Sequence, residues 1–405
     1  MSTNVAPSVG EFATTYTASW PQRERSGVWL TDENGKKLLS CFCAGGTFNF
    51  GFDAAEIRAQ AISLIQNQDA GMWPLPSERR NKGEKDFSRI LPAPLERTFF
   101  VTCAGEAFEA ACKFAKRITR RRNLVSATNG YHGHIGFSLA MDDASMLPET
   151  YAPLAGGVTK AKYGSIESLA ELVNEDTAAV CLETIQIPGG VAVPPDDYFG
   201  AVRRLCDDRG VLLILDEVQG GLCRTGQIWA FDRYGIVPDL LVTGKGITGG
   251  IYPCGALSYA KKHSETFVSP KLVHISSHAG NEIGASLAGW LAGKYAEPAL
   301  CAHVNKVGGR MADGLRRLTL LYPDLLNPTL RGRGLIYAVD VTEPAKRERI
   351  VSACMAQGLF VRGTSLNPRA VNFQPPLIIE AAEVDEALNR FDRALAASRR
   401  FFFQR

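Results

Sequence analysis

The chain has 405 residues, 45% of them hydrophobic and 21% charged, and its 45 Lys and Arg nearly balance 42 Asp and Glu, for a formal charge of +3. A chain of this length buries a large core without disulfide or metal staples, and two or three units are expected at about 150 residues each. The near balance of charge argues against a molecule built mainly to coat nucleic acid or an anionic membrane.

The opening stretch, MSTNVAPSVGEF, has no basic segment followed by an apolar one, and no run approaches the ~18 consecutive apolar residues of a membrane span, so a cytoplasmic protein is expected. Ten cysteines are dispersed, with Cys41 and Cys43 the only close pair and no CxxC, which points to reduced, buried thiols and to no metal site. Short β-rich runs follow at Thr98 to Thr102, Leu124 to Ala127, Ala178 to Leu182, Val211 to Leu215, Leu240 to Thr243 and Gly255 to Tyr259. Between them lie helical patterns, Ala104 to Thr119 and Asp196 to Arg209. The basic run Lys116 to Arg122 reads as a solvated helix terminus. Alternation of this kind predicts an α/β fold with a mostly parallel sheet between helices. After about Ala299 the pattern becomes helix (Ala302 to Leu320), strand (Leu335 to Val341), helix (Ala345 to Gln357), short strand (Leu359 to Arg362) and helix (Ala382 to Ser398). We therefore expect a large domain over 51–299 and a smaller α+β domain over 300–405, which residues 1–50 join. The aromatic tail Phe401 to Phe403 either docks at an interface or frays.

In VLLILDEVQGGLCRTG an apolar strand runs into Asp216 and Glu217 and then a glycine-rich turn. Ligands of open α/β sheets sit at the carboxyl ends of strands, although two acids there can also simply cap a turn. Twenty-nine residues later, DLLVTGKGITGG ends a second buried strand at Lys245 between glycines. Close backbone approach and desolvation suit such a lysine to Schiff-base chemistry. A surface turn and a phosphate-binding Walker loop are the alternatives, but Gly246 stands where that loop needs Ser or Thr.

With these strings the sequence resembles the class III (ω-amino acid) aminotransferases, pyridoxal 5'-phosphate enzymes of fold type I, from about Trp29 to Ile379. The resemblance implies that Lys245 holds the cofactor as an internal aldimine and that Asp216 pairs with its pyridine nitrogen, keeping the ring an electron sink. It also implies that Val218 packs on one ring face, Gln219 contacts the ring hydroxyl, and Tyr131 of NGYHGH stacks on the ring. His132 and Glu183 fall at matching motif positions and join the cofactor-binding set, and Arg224 is given a structural role. Phosphate falls to Ala104 and Gly105, at the start of a helix. Gly105 replaces the hydroxyl residue usual in the family, and Glu106 matches a glutamate that also serves as a first-turn acid. Ser277, in HISSHAGNE, matches the hydroxyl residue that reaches the phosphate of a neighbouring subunit, which implies a homodimer.

Three positions depart from the family. Thr184 replaces a proline, Pro188 stands where a gating glutamate is usual, and Asn372 stands where its partner arginine grips the substrate carboxylate. Arg362 and Arg369 are the nearby cations suited to a carboxylate. Relatives that use S-adenosylmethionine as amino donor also lack the gate. The expected activity is therefore an aminotransferase taking its amino group from an amino acid or an S-adenosylmethionine-like donor. The alternative is a biosynthetic decarboxylation, or an elimination or replacement with carbon–carbon bond formation, on the same cofactor. A silent binding subunit is disfavoured by the presence of Lys245, Asp216, Gln219 and Tyr131.

Overall fold

The computed structural model describes residues 22–72, 75–142 and 149–403. The stretch read for a leader, residues 1–12, lies outside them. Three N-terminal strands, β1 (Gln22–Ser26), β2 (Trp29–Asp32) and β3 (Lys37–Ser40), precede a run of seven: β4 (Leu95–Val101), β5 (Asn123–Ala127), β6 (Val158–Ala161), β7 (Thr177–Glu183), β8 (Leu212–Asp216), β9 (Leu240–Thr243) and β10 (Gly255–Ala260). The last are β11 (Leu326–Arg333), β12 (Ile336–Val341), β13 (Leu359–Phe360), β14 (Arg362–Gly363) and β15 (Ala370–Phe373).

The seven middle strands make one sheet in the order β4-β10-β9-β8-β7-β5-β6. Strands β5 to β9 run parallel to one another, while β10 is antiparallel to both β9 and β4. Strand β7 is buried at every position, as a sheet covered on both faces requires. Edge strand β6 escaped the sequence reading because VTKA buries only its last residue, too little apolar signal to stand out from a loop. The helix Ala104–Thr119 has the expected bounds and buries Ala107, Ala111, Phe114 and Ala115 on the sheet. Its basic end is tied down within the chain: Arg121 donates to the carbonyls of Arg209 and Gly210, which a helix C-terminus leaves without partners.

The expected strand Leu359 to Arg362 is broken at Val361. Strand β13 pairs in parallel with β3, whereas β14 pairs antiparallel with β15, so the chain changes sheets there and turns Arg362 toward a different set of neighbours. The final helix, Ala381–Phe403, runs past the expected Ser398, and the aromatic tail is its last turn, with the Arg349 guanidinium 4.1 Å from the Phe401 ring centre. Fully buried Arg224 donates to Asn49 and to the Pro375 carbonyl, tying the N-terminal segment to the C-terminal sheet. Among the described residues no helix is long and apolar enough to cross a membrane, and no cluster of His, Cys, Asp and Glu has the makings of a metal site. Eight of the ten cysteines are buried; Cys301 is half-buried and Cys103 is exposed.

Candidate active site

Strands β4, β5, β7, β8 and β9 all end on the same edge of the sheet, and their following residues enclose a cavity of about 610 Å³. Ala104, Gly105, Tyr131, His132, Glu183, Asp216, Val218, Gln219 and Lys245 line it, which is every residue assigned to the cofactor from the sequence except Ser277. Ser277 is exposed on a loop and does not line this cavity.

Asp216 is the best-anchored acid of the site. His132 Nδ1 lies 2.8 Å from Asp216 Oδ2, and the backbone N–H of Val218 donates to Oδ1 at 3.0 Å. The imidazole is itself clamped, stacked on Phe108 with ring centres 4.3 Å apart and planes inclined by 14°. Carboxylate and ring therefore have little rotational freedom, and the contact that fixes Asp216 is invisible in a Tyr-His-Gly string. Glu183 lies beside Asp216 in register across β7 and β8 and accepts the Tyr131 N–H at 2.8 Å. Burial, and then the nearby Asp216 carboxylate, push the Glu183 pKa well above the usual range.

Lys245 starts a short 3-10 turn with φ +49°, a left-handed conformation that costs a non-glycine residue roughly 1–3 kcal/mol and marks functional positions. Burial lowers its ammonium pKa, against the opposing pull of Asp216 and Glu183, so a larger share of neutral, nucleophilic amine is present than in a solvated lysine. The loop carrying Gly45 lies against this amine: a Cβ at Gly45 (φ +66°) would sit 2.8 Å from Gln219 Oε1 and 3.2 Å from Lys245 Cε. Nothing in the local string CFCAGG announces that contact, because the pairing of β3 with β13 is what carries the loop there.

The helix Ala104–Thr119 presents its N-terminus to the same cavity. Its N-cap, Cys103, makes no side-chain capping bond, which leaves first-turn amides for an anion. Glu106 does not take that place. It accepts from the Thr102 N–H and hydroxyl and pairs with His274, and although burial opposes it, these contacts hold its pKa down at about 2. A Cβ at Gly105 would lie 3.5 Å from the nearest Ile135 atom, an ordinary contact, so the missing hydroxyl can be restored. Gly105→Ser is expected to tighten cofactor binding roughly tenfold through one added hydrogen bond to an anion, read by titrating apo-protein with pyridoxal phosphate.

The three departures from the family have physical outcomes. Pro188 and Asn372 line one wall of a second chamber of about 250 Å³, together with Arg362 and, shared with the first cavity, Tyr131, Gln219 and Lys245. Arg369 is exposed and lines neither chamber. Gln374, which also lines the second chamber, was missed, yet strand alternation from Asn372 would have found it. The third departure, Thr184, places its hydroxyl on the fully buried Glu217, which also accepts the Ala230 N–H at 2.7 Å. Burial raises the Glu217 pKa from 4.5 to about 8. Between these values the folded chain binds a proton that the unfolded chain has released, so this group's contribution to stability falls as pH rises through that window. Glu217→Gln keeps the hydrogen bonds and removes the titration. Its melting temperature, followed by circular dichroism, should therefore gain a few degrees on that of the parent between pH 5 and pH 8.

Comparison with known proteins agrees with this geometry. The model of the family "Aminotransferase class-III" matches residues 13–395. An uncharacterised aminotransferase of Archaeoglobus fulgidus is 33% identical over 384 residues, covering 95% of this chain and 90% of its own. The ornithine aminotransferase of Toxoplasma gondii superposes with a TM-score of 0.90 at 22% identity, over 99% of this chain and 96% of its own. An (S)-enantioselective ω-transaminase from Thermomicrobium roseum gives 0.88 at 24% identity, over 98% and 96%. The chain thus belongs to the class III aminotransferases, pyridoxal phosphate enzymes of fold type I.

Proposed function

We propose that Lys245 is the residue that bonds the cofactor and that the enzyme takes its amino group from an amino acid, S-adenosylmethionine-like donors included. The observation that carries this reading is the convergence of Lys245, the His132-bound Asp216 and a helix N-terminus without a side-chain cap on one cavity. These residues fit pyridoxal phosphate: an amine for its aldehyde, a fixed carboxylate for its pyridine nitrogen and backbone amides of Ala104 and Gly105 for its phosphate. When bound, the cofactor supplies the electron sink for the carbanion at the substrate carbon.

The chain's own groups do the rest. Asp216 keeps a negative charge facing the pyridine nitrogen, Tyr131 and Val218 flank the ring, and Gln219 faces its hydroxyl. Lys245 Nζ, freed by the incoming amine, moves the proton at the substrate carbon. Arg362 receives a substrate carboxylate, and Pro188 and Asn372 leave that chamber without the ion-pair gate. Ser277 serves the phosphate of a partner subunit, so the working unit is a homodimer. The smaller unit combines the N-terminal segment with the C-terminal part, a reading supported by the pairing of β3 with β13.

Mixing the holoenzyme with single amines should convert the bound cofactor to its amine form and release a keto or aldehyde product. Release of carbon dioxide or a side-chain leaving group, with the cofactor returned unchanged, would contradict the reading. A fully active monomer by light scattering would contradict the dimer.

A further inference from the structure

The second chamber holds polar groups that nothing among the described residues satisfies. Gln374 is 0% exposed, and among these residues both Oε1 and Nε2 of its amide lack a hydrogen-bond partner, as does Oδ1 of Asn372, 4% exposed. Leaving such buried groups without a hydrogen bond is costly, and native chains rarely tolerate it away from a binding site. The backbone explains why these side chains share a wall. Arg362 and Asn372 are directly opposed in the antiparallel β14–β15 pair, and Gln374 follows two residues on, bridged to Phe42. The alternating Val371 and Phe373, on either side of Asn372, point the other way, into the core.

Building on the reading above, we propose that Asn372 and Gln374 select the substrate by an uncharged group, a carboxamide or a group of the same donor-and-acceptor pattern, carried by the arm that enters this chamber. The reasoning is a count of donors and acceptors. Whichever way the Gln374 amide is turned, it offers two N–H donors and one carbonyl acceptor, and none of them is engaged by the described residues. A carboxylate only accepts: it would satisfy the N–H groups and set its oxygens against Gln374 Oε1. An ammonium only donates and fails in the opposite sense. A carboxamide meets both ends of Gln374 and has an N–H left for Asn372 Oδ1. Pro188, lacking a charged side chain, and Asn372 remove the gating pair, so the guanidinium left in this chamber is Arg362, which takes the substrate's own carboxylate and leaves Gln374 and Asn372 to read the neutral group.

The test uses holoenzyme and the absorbance change of its cofactor as amines bind, a signal that needs no turnover. One probe set is 4-aminobutanamide, 4-aminobutanoate and pentylamine; an α-amino set is glutamine, glutamate and norleucine. In at least one set the carboxamide should half-saturate at a roughly tenfold lower concentration than both companions, the scale of two ordinary hydrogen bonds. Gln374→Met should erase its advantage over the apolar amine, and Asn372→Arg should turn the preference toward the carboxylate. Amines that bind without carboxamide preference in either set, or a preference that survives Gln374→Met, would overturn the proposal alone. If no amine of either set perturbs the cofactor, the proposal falls together with the functional reading on which it rests.

Discussion

Lys245→Ala should lose turnover by at least about 10⁴-fold while the protein stays folded and still takes up the cofactor through its phosphate end. Proton transfer by a positioned side chain alone accounts for about 10²–10⁴-fold, and this residue also supplies the covalent attachment. The two roles separate experimentally. A small amine added to the solution can restore part of the proton transfer, raising the variant's rate in proportion to amine concentration, but it cannot restore a bond to the chain. Full activity in Lys245→Ala, measured by single-turnover absorbance, would mean that another group does this work. Alanine keeps the Cβ, so the strain of a non-glycine residue at φ +49° stays in the variant and the substitution brings no gain in stability from the backbone.

Asp216→Asn carries the second largest effect. Asparagine retains an oxygen for the Val218 N–H, which now lies 3.0 Å away, and a polar contact for His132, so the geometry survives while the charge is lost. Loss of one pre-aimed electrostatic partner costs on the order of 10²–10³-fold in rate, and kcat should fall by that factor with KM little changed. His132→Ala should give a smaller loss of kcat, because the carboxylate remains but is no longer aimed; the Phe108 ring would be left facing a void. A His132→Ala loss equal to that of Asp216→Asn would show that the imidazole contacts the cofactor or substrate directly.

The parts legible in the sequence were those in which local pattern and chemistry coincide. Asp216 and Lys245 each stand at the end of an apolar strand beside glycines, and the structure brings both to the same edge of the sheet. The bond between His132 and Asp216 was not legible, since the two are 84 residues apart and meet only because β5 and β8 flank β7 in the sheet. Gly45 and Phe42 belong to the same class: their place beside Lys245 depends on the pairing of distant chain ends. Arg362 and Arg369 were indistinguishable as strings. Register separates them, because Arg362 is opposed to Asn372 across a strand pair while Arg369 precedes that strand on the exposed side. Gln374 lies within reach of the alternation rule, two residues on from Asn372 along the same face of the strand.

The central claim is that one lysine bonds the cofactor, and borohydride reduction of the holoenzyme followed by peptide mapping tests it most directly. The account requires a single pyridoxyl modification, in the peptide containing Lys245. Recovery of the modification on a different lysine, or of unmodified Lys245 from fully reduced and active enzyme, would contradict it.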